Sequence, residues 1–187
     1  YSPDGKSFAY VSMNTIESNV GDIQSFLTQS SVIKDGVESQ KYAVIAHLTY
    51  SPDSKSFAYG ARLNDKDMVI KDGVESQKYD YVRLSPSSYS RDGKSFAYSA
   101  DIDDKYIVVK DGVESQKYDY VSDLTYSRDG KSFAYVAKID DKEVLIKDWV
   151  ESQKYDYVSN LRYSPDGKSF AYTAQIGEKT MIIKQNH

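Results

Sequence analysis

Residues 122–158 read Ser-Asp-Leu-Thr-Tyr-Ser-Arg-Asp-Gly-Lys-Ser-Phe-Ala-Tyr-Val-Ala-Lys-Ile-Asp-Asp-Lys-Glu-Val-Leu-Ile-Lys-Asp-Trp-Val-Glu-Ser-Gln-Lys-Tyr-Asp-Tyr-Val. Residues 124–127 alternate and stop at the turn Arg128-Asp129-Gly130-Lys131; residues 132–139 then run to a second turn at Asp140-Asp141-Lys142. Residues 143–147 are largely apolar and β-branched, and residues 150–158 follow. Asp-Gly accepts the positive φ that tight hairpins demand, so each break falls where turn chemistry places one. The stretch predicts a four-stranded antiparallel meander: an inner strand A, then B, C and an outer strand D.

The same pattern recurs along the chain. Ser-Phe-Ala-Tyr begins at Ser7, Ser56, Ser95, Ser132 and Ser169, with spacings of 49, 39, 37 and 37 residues. A second marker, Lys-Asp-Gly-Val-Glu-Ser-Gln-Lys-Tyr, begins at Lys34, Lys71 and Lys110, and again at Lys147 with Trp149 in place of glycine. One supersecondary unit of about 37 residues is therefore copied about five times, near residues 1–44, 45–82, 83–121, 122–158 and 159–187. Four short strands per copy is the arithmetic of a β-propeller blade, so the expectation is one all-β domain of about five four-stranded antiparallel blades. Helical solenoids are excluded by the absence of 3.6-residue periodicity and the wealth of Tyr, Val and Ile. Complete A strands are countable in only four copies and D strands in four, which leaves the first and last blades incomplete. Flanking sequence in a longer propeller, or strand addition between chains into a homo-oligomer, would cover such edges.

Tyr-Ser-Pro-Asp-Gly-Lys-Ser-Phe-Ala-Tyr, at residues 1–10 and again at 163–172, resembles the WD40-like repeat of TolB-type propellers. The turn and the aromatic strand B match in four copies; in the second, Ser54 replaces the glycine. The resemblance implies the propeller fold and a periplasmic or extracellular setting. It also covers several roles, among them adaptors and domains beside peptidases.

The 187 residues carry 24 Lys plus Arg against 28 Asp plus Glu, a net charge of −4. An acidic average surface argues against general nucleic-acid binding, which needs a basic one. With no cysteine and two histidines, His47 and His187, thiol catalysis, disulfides and Cys/His metal sites are excluded. No cofactor is expected. No apolar run reaches the roughly 20 residues of a membrane helix, and because the first residue is Tyr1 an upstream segment could have been removed.

Departures from strict repetition mark the candidate sites. Phe8 to Lys34 spans 26 positions where other copies have 14, an insertion near residues 14–30. Ile16, Val20, Ile23, Phe26 and Leu27 there sit at helical spacing, predicting a short amphipathic turn of helix and a contact loop. The third copy is longer before its serine turn and contains Pro86, which predicts a bulge on entering the inner strand. His47, Asp123 and Asn160 occupy equivalent positions ahead of Leu48, Leu124 and Leu161, at the start of strand A. In a propeller this lies near the channel mouth, so they are the binding-site candidates.

Catalytic constellations fail. A Ser-His-Asp triad would need His47 without a Gly-x-Ser-x-Gly elbow, glycosidase chemistry would need more converging carboxylates than Asp123, and Asp101-Ile102-Asp103-Asp104 lacks the glycine and terminal Glu of a calcium loop. The expectation is a non-enzymatic binding or scaffold propeller with a protein or peptide partner. The alternatives are a lectin-like propeller that stacks carbohydrate on Tyr81, Tyr120 and Tyr157, with Tyr79, Tyr118 and Tyr155 beside them on the outer strands, and a hydrolase-associated domain.

Overall fold

The computed structural model describes the backbone of residues 1–20 and 23–186, and the side chains of residues 1–15 and 28–185. These residues form five antiparallel sheets and no helix. The first is β1(Ala9–Val20), β2(Ile23–Lys34) and β3(Val37–Glu38); the second is β4(Val44–Tyr50), β5(Phe57–Leu63), β6(Lys66–Lys71) and β7(Val74–Glu75). The third is β8(Tyr81–Arg83), β9(Ala97–Ile102), β10(Lys105–Lys110) and β11(Val113–Glu114), and the fourth β12(Tyr120–Tyr126), β13(Phe133–Ile139), β14(Lys142–Lys147) and β15(Val150–Glu151). The fifth is β16(Tyr157–Tyr163), β17(Ser169–Ile176) and β18(Lys179–Asn186). Three-stranded sheets thus stand at both ends of the series, the first without an A strand and the last without a D strand. Contacts group the chain into two compact units, Tyr1–Val82 and Arg83–His187.

In the second, third and fourth sheets the strand that carries Phe-Ala-Tyr or Ala-Tyr is the hub of the core, because it is covered on both faces. Phe133, Tyr135 and Ala137 of β13 pack with Val108 and Tyr118 of the preceding copy, whereas Ala134 and Val136 pack with Tyr155, Phe170 and Tyr172. Burying side chains of this size contributes about 1.5–3 kcal/mol each. In the first unit Phe57 and Tyr59 meet Val32 and Tyr42 in the same way.

The serine turns explain their own sequence. Ser127 Oγ donates to Asp129 Oδ1 at 2.6 Å and accepts from the Ser132 amide at 3.0 Å, while the Lys131 amide donates to Asp129. The same bonds recur at Ser2, Ser51, Ser90 and Ser164. The serine hydroxyl, then the lysine amide, hold the Asp129 carboxyl below the usual carboxylate range. Ser54 keeps the positive φ of the glycine it replaces, at 64°.

Three expectations are corrected. The insertion is not a helical turn: residues 9–20 and 23–34 form one long hairpin with unbroken register from Ala9↔Lys34 to Val20↔Ile23. Polar residues between its apolar ones satisfy either period, and continuity with the existing ladder decides for strand. The side chains of Ile16, Ile23, Phe26 and Leu27 lie outside the described residues.

The outer strand is also not continuous over residues 150–158. After Val150 and Glu151, Ser152 Oγ accepts the Leu145 amide at 3.0 Å, occupying the ladder position, and Tyr155 returns as a single bridge to Glu143. Tyr157 and Val158 already belong to the next inner strand, β16. Tyr81, Tyr120 and Tyr157 consequently stand on inner strands, and their presumed companions Tyr79, Tyr118 and Tyr155 are buried.

The third correction concerns the bulge. Pro86 sits in a turn, with Ser85 N donating to Ser88 Oγ at 2.9 Å, and β8 is only three residues long. Bulges occur instead in the copies that lack this proline.

Candidate functional site

In β4 the pairing jumps from Ala46↔Gly60 to Thr49↔Ala58, so His47 and Leu48 both oppose Tyr59. In β12 Asp123 and Leu124 oppose Tyr135, and in β16 Asn160 and Leu161 oppose Tyr172. Each is a two-against-one bulge whose first residue is left-handed, with φ of 58° at His47, 54° at Asp123 and 56° at Asn160. Asn, Asp and His are the non-glycine residues that best tolerate this region. The shared polarity at these positions therefore has a backbone cause, and the bulge turns each side chain out to solvent. They lie within their strands, three residues after the first, and not at the strand start.

Two clefts are built around bulge residues. In the first unit a cleft of about 140 Å³ has apolar walls of Val44, Ala46 and Val82, with His47, Arg62 and Tyr81 at its rim. Asp67, 7% exposed, anchors it: its carboxylate accepts Arg62 Nε at 2.6 Å and the Val82 amide at 3.2 Å. That bond, then the charge of Asp67, raises the Arg62 guanidinium further above neutrality. Gly60 opens the floor. A Cβ there would only reach Ala46 O at 3.5 Å and Val82 Cγ2 at 3.6 Å, ordinary contacts, whereas Val11, Ser99, Val136 and Thr173 fill the equivalent position elsewhere. Sequence reasoning missed Gly60, although its departure from the repeat was visible.

In the second unit a cleft of about 370 Å³ gathers Arg83, Ser87, Tyr98, Ser99, Ser122 and Asp123. Arg83 forks onto Asp101, with Nη2 to Oδ2 at 2.9 Å, and lies 5.0 Å over the Tyr106 ring. Its guanidinium is thus fixed before any ligand arrives.

No protein-family model and no curated protein sequence matches the chain. Among solved structures, the chain is similar to the β-propeller domain of the Trilobed protease from Pyrococcus furiosus, described as having an open velcro topology. The TM-score is 0.51 and the identity 11%, over 96% of this chain and 68% of that one. The fold is a β-propeller. TolB from Acinetobacter baumannii aligns at a TM-score of 0.45 and 15% identity over 85% of this chain, and Pyrococcus horikoshii acylaminoacyl peptidase at 0.45 and 14% over 96%. The chain spans 46% of the length of the TolB structure and 38% of the peptidase structure.

Within this propeller the structure brings His47 and Tyr81 to one rim and sets Asp123 in a hydroxyl-lined cleft. Asn160 remains local, its Nδ2 3.3 Å from Ser159 Oγ and 3.4 Å from Thr173 Oγ1. Tyr120 rests edge-on against Tyr106 at 5.3 Å and is half exposed, as Tyr157 is. Among the described residues no group of three or more His, Asp or Glu could hold a metal ion, and no helix is long and apolar enough to cross a membrane.

Proposed function

We propose that the chain is a non-catalytic binding propeller that takes a protein or peptide partner on its inner strands. One observation carries this reading: Val44, Tyr81, Tyr120 and Tyr157, which open the four inner strands, are 43–53% exposed although they sit in ordered ladders. A ring held by a strand loses little freedom on binding, which is why Tyr anchors recognition surfaces. The outward-turned His47, Asp123 and Asn160 follow three residues later and supply polar contacts beside three of these anchors. The rim and the hydroxyl-lined cleft above support the reading by providing fixed guanidinium and hydroxyl groups.

An exposed phenol face also stacks on sugars, which favours the lectin-like alternative. Selection from a displayed peptide library, run beside a glycan array, separates the two. Peptide binding that falls at least about tenfold in a Tyr81→Ala, Tyr120→Ala, Tyr157→Ala variant is the expected result. Glycan binding without peptide binding would replace the first reading by the second, and turnover of ester or glycoside substrates would overturn both.

A further inference from the structure

A further groove of about 310 Å³ in the second unit is lined by Arg91, Thr125, Tyr126, Arg128, Arg162 and Ser164. Three arginines in one groove are conspicuous on a chain of net charge −4. Arg91 and Arg128 stand where the serine turns of the other copies carry Pro3, Pro52 and Pro165, so neither is required by the turn. Among the described residues no ion pair engages any of the three; Arg128 makes one long bond, from Nη1 to the Pro165 carbonyl at 3.4 Å.

A second observation comes from the groove wall. The Tyr126 hydroxyl is buried and is the single such side-chain atom among the described residues without a hydrogen-bond partner. Its counterparts are satisfied: Tyr50 bonds Ser7 Oγ at 2.9 Å and Tyr163 bonds Ser132 Oγ at 2.9 Å. Tyr126 has moved off this arrangement, its ring lying 6.2 Å from Phe133 where the corresponding pairs lie 4.6–4.7 Å apart. Leaving a buried hydroxyl unbonded is unfavourable, and a ligand acceptor would recover that loss. Burial, then the negative charges of Asp111 and Asp92, raise the Tyr126 hydroxyl and keep it protonated, a donor.

We propose that this groove binds an oxyanion, the phosphate or carboxylate group of a larger ligand, held by Arg91, Arg128 and Arg162 with Tyr126 donating a further hydrogen bond. Planar guanidinium forks match both groups, and charge-assisted bonds to them are the strong class. The site is separate from the peptide-binding reading and stands without it.

Calorimetric titration of the full chain at low ionic strength tests the idea, with inorganic phosphate in one arm and acetate in the other. Saturable binding in either arm is expected, and the stronger arm names the source group. The variant Arg91→Pro, Arg128→Pro adopts the residue of the other copies and so keeps its turns; it should bind at least about tenfold more weakly. Tyr126→Phe should weaken binding while raising the melting temperature, a combination that a merely structural tyrosine would not give. If the proline variant fails to fold, exposed Arg162→Gln gives the same reading. Absence of saturable binding in both arms, or binding unchanged by the arginine replacements, overturns the proposal.

Discussion

Two corners of the molecule have almost the same sequence and different chemistry. In the fifth sheet Tyr163 lies 4.6 Å from Phe170 and its hydroxyl shares Ser132 with the Asp148 carboxylate. In the fourth, Tyr126 sits 6.2 Å from Phe133, its hydroxyl unbonded, and Phe133 carries Trp149 edge-on at 5.0 Å and Lys110 Nζ at 5.3 Å over its ring. The one copy in which tryptophan replaces glycine after Asp148 is the copy whose tyrosine has withdrawn. Close packing leaves little slack, so a large side chain added on one edge of a ring is felt on the other.

The largest break in this comparison comes from Phe133→Ala. Phe133 is 2% exposed and touches both partners, so loss of about 3–5 kcal/mol is expected in denaturant unfolding. Phe8, the equivalent ring in the first sheet, is 43% exposed, and its alanine variant should cost less than about 1 kcal/mol. Equal costs would show that the exposed first-sheet ring is covered in solution.

Ser132→Ala separates the corners next. It strands the Tyr163 hydroxyl and removes a donor to Asp148, and should cost about 2 kcal/mol. Ser95, the equivalent serine facing the fourth sheet's tyrosine, has no such hydroxyl pair, and its alanine variant should stay within about 0.5 kcal/mol.

Removing the hydroxyls themselves should give opposite signs. Tyr126→Phe should stabilise by about 1 kcal/mol and Tyr163→Phe should destabilise by about as much, read as shifts in thermal midpoint. Same-sign shifts would mean that Tyr126 finds a partner in solution.

Trp149→Gly carries the smallest mutational effect. The φ of 68° costs tryptophan about 1 kcal/mol that glycine avoids, but the edge contact with Phe133 contributes about 0.5–1.5 kcal/mol. The terms nearly cancel, so the midpoint should barely move, whereas glycine should draw Tyr126 back toward Phe133 and quench the difference between the two tyrosine variants.

Acid provides a last check on the same corner. Burial would raise the Asp148 carboxyl, but Ser132 Oγ, the Phe133 amide and Lys147 outweigh it and leave it lowered. Its contribution is therefore complete above the unfolded carboxylate value of about 3.9 and disappears as pH falls through the lower folded value. Asp148→Asn should flatten the decline of the thermal midpoint in this acid range.

Much of the architecture was legible because it is local. Period-two alternation and Asp-Gly turns each act within a few residues, the 37-residue echo copies them along the chain, and together they determine sheet count and strand direction. The same sequence named His47, Asp123 and Asn160 as special, yet only the ladder showed why: each fills a left-handed bulge, a demand set by the partner strand. Helix or hairpin for residues 9–34 was undecidable from spacing, since backbone hydrogen bonding across the existing pair settles it. Arg91 and Arg128 stood out in the sequence as replacements for the turn proline, but no linear reading joined them with Arg162 in one groove. Its residues are dozens of positions apart, and whether a tyrosine hydroxyl finds a partner depends on packing distances of an ångström or two, which tertiary contacts alone decide.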